Sequence, residues 1–308
     1  MKWYSFEPAD TLFFRGAQPM SMGIDHTASG NFPPPPQTIT GALRTAVLKQ
    51  NDISIDDYYS STGIQEDILD VVGKAGEEAN FCLLGPLFQI GKTVYMPAPY
   101  SWFIEKPQNG RGKAKVYKFE RVNTYLLTAS AGELYWVRGT ESDLESMGGK
   151  WIPIDELQAD KVSWKESSEF FVEEPRTGIA LERNRKVRKH HIYSFIHGRL
   201  KKCVRILFGV TRDLPLENQG ILKLGAEQRF GVYREIEPLE FDSGTSGYYV
   251  SLSVVEGNPS ATRSLIATGK PKYIGGWDLK KGFHKPMKGY YPAGSVFKQK
   301  LNENFIEL

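Results

Sequence analysis

Four consecutive prolines, Pro33 to Pro36, constrain this chain more than any other stretch. A proline ring holds φ near about −65° and removes a backbone donor, so the run cannot sit inside a sheet or a helix. It reads as a stiff polyproline rod leading from Phe32 into QTITGALRTAVL. Thr38 stands where its hydroxyl takes up a free amide of a first helical turn. Beyond it Ile39, Ala42, Leu43, Ala46 and Val47 recur at helical spacing and define one apolar face. Gly41, Arg44, Thr45 and Leu48 fall on other sides. A rigid lead-in thus delivers a helix start beside the polar loop Gly16 to Asn31, and Arg44 adds positive charge one turn in. Helix-start amides favour anions.

With 308 residues, 40% of them hydrophobic and 12% aromatic, the chain has enough apolar mass for one large or two ordinary domains. Its net charge of +3 hides a strong segregation. Arg176 to Arg205 holds ten Lys or Arg against one acid, Glu182, and Arg263 to Lys300 holds nine against Asp278. The remainder is correspondingly acidic. Such a division suits a polyanion-binding face and a separate acidic surface. Two cysteines, Cys82 and Cys203, make neither a disulfide framework nor a metal site. MKWYSFEPAD lacks an apolar leader and no apolar run spans a bilayer, so the expected location is cytoplasmic.

Lys2 to Glu7 reads as a first strand ended by Pro8, with Leu12 to Phe14 continuing or pairing with it. Asn51 to Asn80 is acidic and helical, with Ile64, Ile68, Leu69 and Val72 at helical spacing. Phe81 to Ile90 and Thr93 to Met96 flank Gly91-Lys92 as two strands. Trp102 to Lys118 passes through the glycine-rich basic loop NGRGKAK. Val204 to Val210, Tyr248 to Val255 and Gly294 to Leu301 read as further strands. Helices between strands in each half indicate an α+β fold, an antiparallel sheet with helices on one face, and a boundary within Gln158 to Pro175.

GPLFQIGKT, Gly85 to Thr93, has a phosphate-loop flavour but carries five residues between its glycines and runs on into a strand. A phosphate loop opens a helix, so nucleotide hydrolysis is excluded. His26, in GIDHTASG, is the histidine best placed for acid/base work. His190, His191 and His197 lack carboxylates or thiolates at ligand spacing, and the expected cofactor and metal content is none. Arg176 to Tyr193, RTGIALERNRKVRKHHIY, interleaves phosphate-neutralising cations with rings that stack on exposed bases. LKLGAEQRFG (Leu222 to Gly231) and GGWDLKKGFHKPMKG (Gly275 to Gly289) add glycine-rich loops flanked by cations. Together the three segments point to a single-stranded RNA or DNA groove.

EPADTLFFRGAQP followed by FPPPPQTITGALRTAVL resembles the N-terminal signature of the third-subunit family of the type III-B CRISPR effector, the Cmr complex. YMPAP, RTGIALER, HIYS, LKLGAEQRFG and PAGSVF follow in matching order, from Met1 to about Lys300. The resemblance implies a repeat-associated (RAMP) protein with two ferredoxin-like, RRM-type domains and glycine-rich loops, placed at 1–165 (with insertions) and 166–308. Two departures stand out. Relatives carry an acid and a second Arg where this chain has Arg15-Gly16-Ala17-Gln18. They also carry two glycines before Glu where this chain has Gly225-Ala226-Glu227, which restricts the backbone at Ala226.

The family role implied is a non-catalytic scaffold in antiviral defence. It holds the 5′ tag of the crRNA and contacts the large polymerase/cyclase-type subunit and the first backbone RAMP subunit. No small-molecule substrate is expected. Arg15, Ser29, Arg44, Arg176, Arg183, Lys186, Arg188 and Arg229 are the expected phosphate or tag contacts, His190 and Tyr193 the stacking groups, and Lys272 and Lys285 outer members of that surface. Two rival readings share the scaffold: a metal-independent endoribonuclease for CRISPR repeat RNA using His26, and the 5′-end subunit of a type III-A effector.

Overall fold

Phe32, at the head of the proline run, makes the ring contacts that fix this stretch. In the computed structural model, which describes residues 1–16, 27–28, 30–60, 62–105, 112–122, 133–137, 143–278 and 283–308, its ring centroid lies 4.3 Å from Phe171 and 6.5 Å from Phe88. The helix α1 then runs Pro36–Gln50. Pro36 takes the first helical position, where a missing N–H leaves nothing unsatisfied. The Pro35 carbonyl accepts from the amides of Thr38 and Ile39. Thr38 is therefore inside the first turn, and no side chain caps the helix, which corrects the expected Thr38 cap. Ile39, Ala42, Leu43, Ala46 and Val47 are buried as their spacing predicts, and Leu48 is buried with them. The reason is that α1 packs against two separate strands, Leu83–Ile90 and Gln219–Lys223, so its apolar face is broader than one stripe.

The chain compacts into two units. One comprises Met1–Gly91, Ser168–Leu239 and Tyr273–Gly289, the other Lys92–Ser167, Glu240–Lys272 and Tyr290–Leu308. These interleave along the sequence. The cause is strand order in the first unit: Lys2–Pro8 is paired on both sides by strands from beyond residue 200, Val204–Val210 and Phe230–Ile236. Leu83–Ile90 and Gln219–Lys223 lie outside these, all antiparallel. Trp3, Tyr4, Phe6, Phe88, Ile206, Phe208 and Tyr233 fill the core around the sheet. The fold is strand-rich α+β with antiparallel sheets.

Gly85 and Pro86 lie within the strand Leu83–Ile90, and Thr93 begins the strand Thr93–Pro97, so GPLFQIGKT opens no helix. The acidic stretch after α1 forms two short helices, Ile55–Ser60 and Glu66–Val72, with Tyr58, Ile68 and Val72 buried. Leu12 to Phe14 forms no strand; Leu12 makes a single antiparallel bridge to Gly198.

In the second unit Thr93–Pro97 pairs with Trp151–Pro153, and Trp102–Glu105 is flanked by Ala114–Lys118 and Leu144–Ser146. Trp102, Ile104, Met147, Leu157 and Val162 are buried there. Ala261, Phe297 and Phe305 form a further apolar cluster with Tyr249, Val255 and Leu265 packed against it. Among the described residues no helix is long and apolar enough to cross a membrane.

Candidate nucleic-acid interface

The most basic stretch of the sequence folds as a long antiparallel hairpin of the first unit, Phe171–Leu181 with Val187–Leu200. Its turn is closed by the Glu182 amide donating to the Lys186 carbonyl, 2.9 Å, with Arg185 at φ +66°. Arg183, Arg185, Lys186 and Arg188 cluster at this tip, exposed and without an ion pair among the described residues. Leu181 and Val187, partners across the tip, are each 56% exposed, and Ile179 and Ile192 pair behind them. The arm therefore presents apolar side chains beneath a ring of unneutralised cations. Such a surface attracts a polyanion electrostatically and offers contact area once it arrives.

Directly opposite residues of an antiparallel pair share a face. One face of the arm carries Tyr193 opposite Gly178, Phe195 opposite Arg176, His197 opposite Glu174, and Arg199 opposite Val172. Rings follow one another along it: Tyr193 lies 5.1 Å from Phe195, Phe195 lies 4.9 Å from Phe13, and Phe13 stacks 5.1 Å from His197.

At the root of the arm this face meets Asp10. The Asp10 carboxylate accepts from Arg176 at 2.9 Å, Arg199 at 3.0 Å and Arg229 at 3.1 Å. Glu174 pairs with Arg176 at 2.9 Å and with Arg199, and Glu227 pairs with Arg229 at 3.2 Å. Three guanidiniums face three carboxylates, so the cluster is close to neutral. Partial burial pushes the Asp10 carboxyl up, but hydrogen bonds from Arg176 and the Thr11 amide, the Arg176 charge and Arg199 outweigh it and hold it at about 2. Hydrogen bonds from Arg199 and then Arg176 hold Glu174 at about 2 as well. His197 is 1% exposed, with Nδ1 3.0 Å from the Thr11 hydroxyl. Burial, reinforced by the Arg229 charge, lowers its pKa and favours neutral imidazole.

The glycine-rich loop is the turn between strands Gln219–Lys223 and Phe230–Ile236. Gly225 has φ +95°, and a Cβ there would lie 2.6 Å from the Phe13 carbonyl. That same carbonyl accepts from the Ala226 amide at 2.8 Å. The remaining positive φ angles fall on Glu227 and Gln228, and none on Ala226. Ala226 is tolerated because the left-handed positions lie on either side of it.

The predicted residues thus divide. Arg183, Lys186 and Arg188 sit together at the arm tip, with Tyr193 on the ring row below. Arg176 and Arg229 meet at Asp10. Arg44 goes elsewhere: its guanidinium donates to the carbonyls of Glu77 (2.9 Å) and Lys74 (3.0 Å) and to the Tyr58 hydroxyl. It fastens α1 to the segment that follows the two short helices. Arg15 is exposed beside its backbone bridge to Gly30, and its side chain makes no ion pair among the described residues. Lys285 is exposed on the strand Phe283–Tyr291 of the first unit, and Lys272 is exposed in the second. Ser29, His26, the His190 side chain and the Asn109-to-Arg111 part of the NGRGKAK loop lie outside the described residues. Asp10, Glu174, His197 and Arg199 are the members that sequence spacing did not reveal. Their separations of 164 residues or more from Asp10 leave no local signal, although EPAD and HGRL both bracket motifs already noted.

The fold is that of subunits of a CRISPR effector assembly. A chain of the type III-B Cmr-beta assembly bound to cognate target RNA and AMPPnP superposes with a TM-score of 0.56 at 18% identity, over 96% of this chain and 85% of that one. A chain of the same assembly bound to cognate target RNA gives 0.56 at 19% identity, over 96% and 86%. Sequence comparison with curated proteins gives no match. The family model for the CRISPR-associated protein Cas_Cmr3 matches residues 4–248, and the chain belongs to that family.

Proposed function

We propose that this chain is a non-catalytic, guide-RNA-binding subunit of a type III-B CRISPR effector, acting in the cytoplasm in antiviral defence. It holds the 5′ tag of the crRNA and contacts the large polymerase/cyclase-type subunit and the first backbone RAMP subunit. The chain then carries two ferredoxin-like domains. The observation that carries the reading is the hairpin Phe171–Leu200, whose tip gathers Arg183, Arg185, Lys186 and Arg188 without neutralising partners among the described residues. Membership of the Cas_Cmr3 family and the RNA-bound assemblies with the same fold support it.

In this reading tip cations neutralise phosphates, while Tyr193 and its neighbouring rings take a splayed base. Arg15 and Lys285 extend the basic surface. The acidic segment after α1, with Asp56, Asp57, Glu66 and Asp67 exposed, faces protein partners rather than RNA. The test is titration of the chain, alone and with the large subunit, against tagged and tag-deleted guide RNA over a salt series. Tagged RNA should bind tighter, and affinity should fall steeply with salt. Equal affinity for both RNAs at every salt concentration rules the tag-holding role out.

A further inference from the structure

Three arginines from three separate segments converge on one carboxylate. Asp10 Oδ2 accepts from Arg176 Nη2 and Arg229 Nη1, and Oδ1 accepts from Arg199 Nη2. One planar carboxylate matches the fork of one guanidinium. Three guanidiniums around a single anion are the donor set of a tetrahedral oxyanion, which offers more acceptor directions and more charge than a carboxylate. Beside them Arg229 Nε and His197 Nε2 are buried with no hydrogen-bond partner among the described residues. His197 Nε2 stands 3.6 Å from Glu227. Asp10 is 42% exposed, and the arginines are 34%, 42% and 21% exposed, so the carboxylate has room to turn into water and an anion has room to enter.

We propose that Arg176, Arg199 and Arg229 form a phosphate-binding site that Asp10 occupies in the free chain. A phosphate group enters by displacing the Asp10 carboxylate, which swings into solvent. Asp10 is thus an internal counter-anion. With it in place the cluster is neutral and does not hold stray anions; with it displaced, three cations face only Glu174 and Glu227. The arginines lie at the root of the basic arm, so the site would hold a phosphate of the same RNA, which rests on the RNA-binding role proposed above. The effect is selectivity: a chain already gathered by the arm tip engages the root, and free phosphate at low concentration does not.

The test uses the full chain with inorganic phosphate and a single-stranded RNA oligonucleotide as probes. Asp10→Asn, checked for native circular dichroism, should bind inorganic phosphate at least about tenfold tighter than the unaltered chain, and the added Arg199→Gln change should remove the gain. Its RNA affinity should rise with it, the salt slope steepening by about 0.7 for each added phosphate contact. Unchanged or weaker phosphate binding by folded Asp10→Asn overturns the proposal, even where RNA binding itself persists. A gain for phosphate with no RNA binding by either protein upholds the site and removes the RNA role. Should Asp10→Asn not fold, the unaltered chain decides. Phosphate should raise its melting temperature above chloride at matched ionic strength, and Arg199→Gln should erase that difference. No difference between the two salts overturns it.

Discussion

The ring of Tyr193 lies across Gly178, its partner on the opposite strand of the hairpin. A methyl group on Gly178 would fall 2.4 Å from the ring Cζ and 2.5 Å from its hydroxyl. Gly178 therefore seats the first ring of the row that continues through Phe195 and Phe13 to His197. Gly178→Ala should push that ring out and cost about 1–3 kcal/mol, the usual penalty for overpacking. Urea unfolding read by tyrosine fluorescence would measure it, and a midpoint equal to that of the unaltered chain would refute the packing.

Arg44 is a fastening. It ties α1 to the carbonyls of Lys74 and Glu77 and sits 5.8 Å over the Tyr58 ring. Arg44→Ala should lower stability by about 1–2 kcal/mol through lost hydrogen bonds to a charged group, with RNA affinity unchanged. A normal melting temperature with weakened RNA binding would return Arg44 to the RNA surface.

The arm tip should behave in the opposite way. Replacing Arg183, Lys186 and Arg188 together by Ala removes three exposed charges that make no ion pair among the described residues, so stability should stay within about 0.5 kcal/mol per site. RNA affinity should drop, and the salt slope should shrink by about 0.7 per lost phosphate contact. Salt-dependent titration of the triple variant reads both.

The Asp10 cluster carries a pH signature. Asp10 and Glu174 both have carboxyls held at about 2 in the folded chain, below their ordinary range near 4. Groups lowered by folding stabilise the fold above their unfolded values and lose that contribution as pH falls through the folded ones. Stability should therefore decline between about pH 4 and pH 2, and Asp10→Asn should flatten part of that decline. Urea midpoints across that range test it.

The non-catalytic role predicts silence in a cleavage assay. CRISPR repeat RNA incubated with the chain in EDTA should stay intact, and His26→Ala should change nothing. A discrete product lost in His26→Ala would establish the endoribonuclease instead.

What was legible in the sequence was local. The apolar face of α1, the strand Val204–Val210 and the basic run that became the hairpin all follow from spacing within a short window. Leu48 escaped because two strands, not one, cover the helix. Thr38 escaped because Pro36 begins the helix two residues earlier. The interleaved units and the Asp10 cluster depend on which distant strands pair, and residue spacing carries no record of that. Asp10, Glu174 and Arg199 read singly as ordinary surface charges, and only the return of Val187–Leu200 along Phe171–Leu181 brings the last two to the first.

The central claim, that the hairpin arm meets the 5′ tag of the guide RNA, is tested most directly by crosslinking. The assembled effector would be built on guide RNA carrying photoreactive nucleotides in the tag, and crosslinked peptides mapped by mass spectrometry. The account predicts crosslinks within 183–193, with Tyr193 prominent and α1 absent. Tag crosslinks that avoid the hairpin altogether would contradict it.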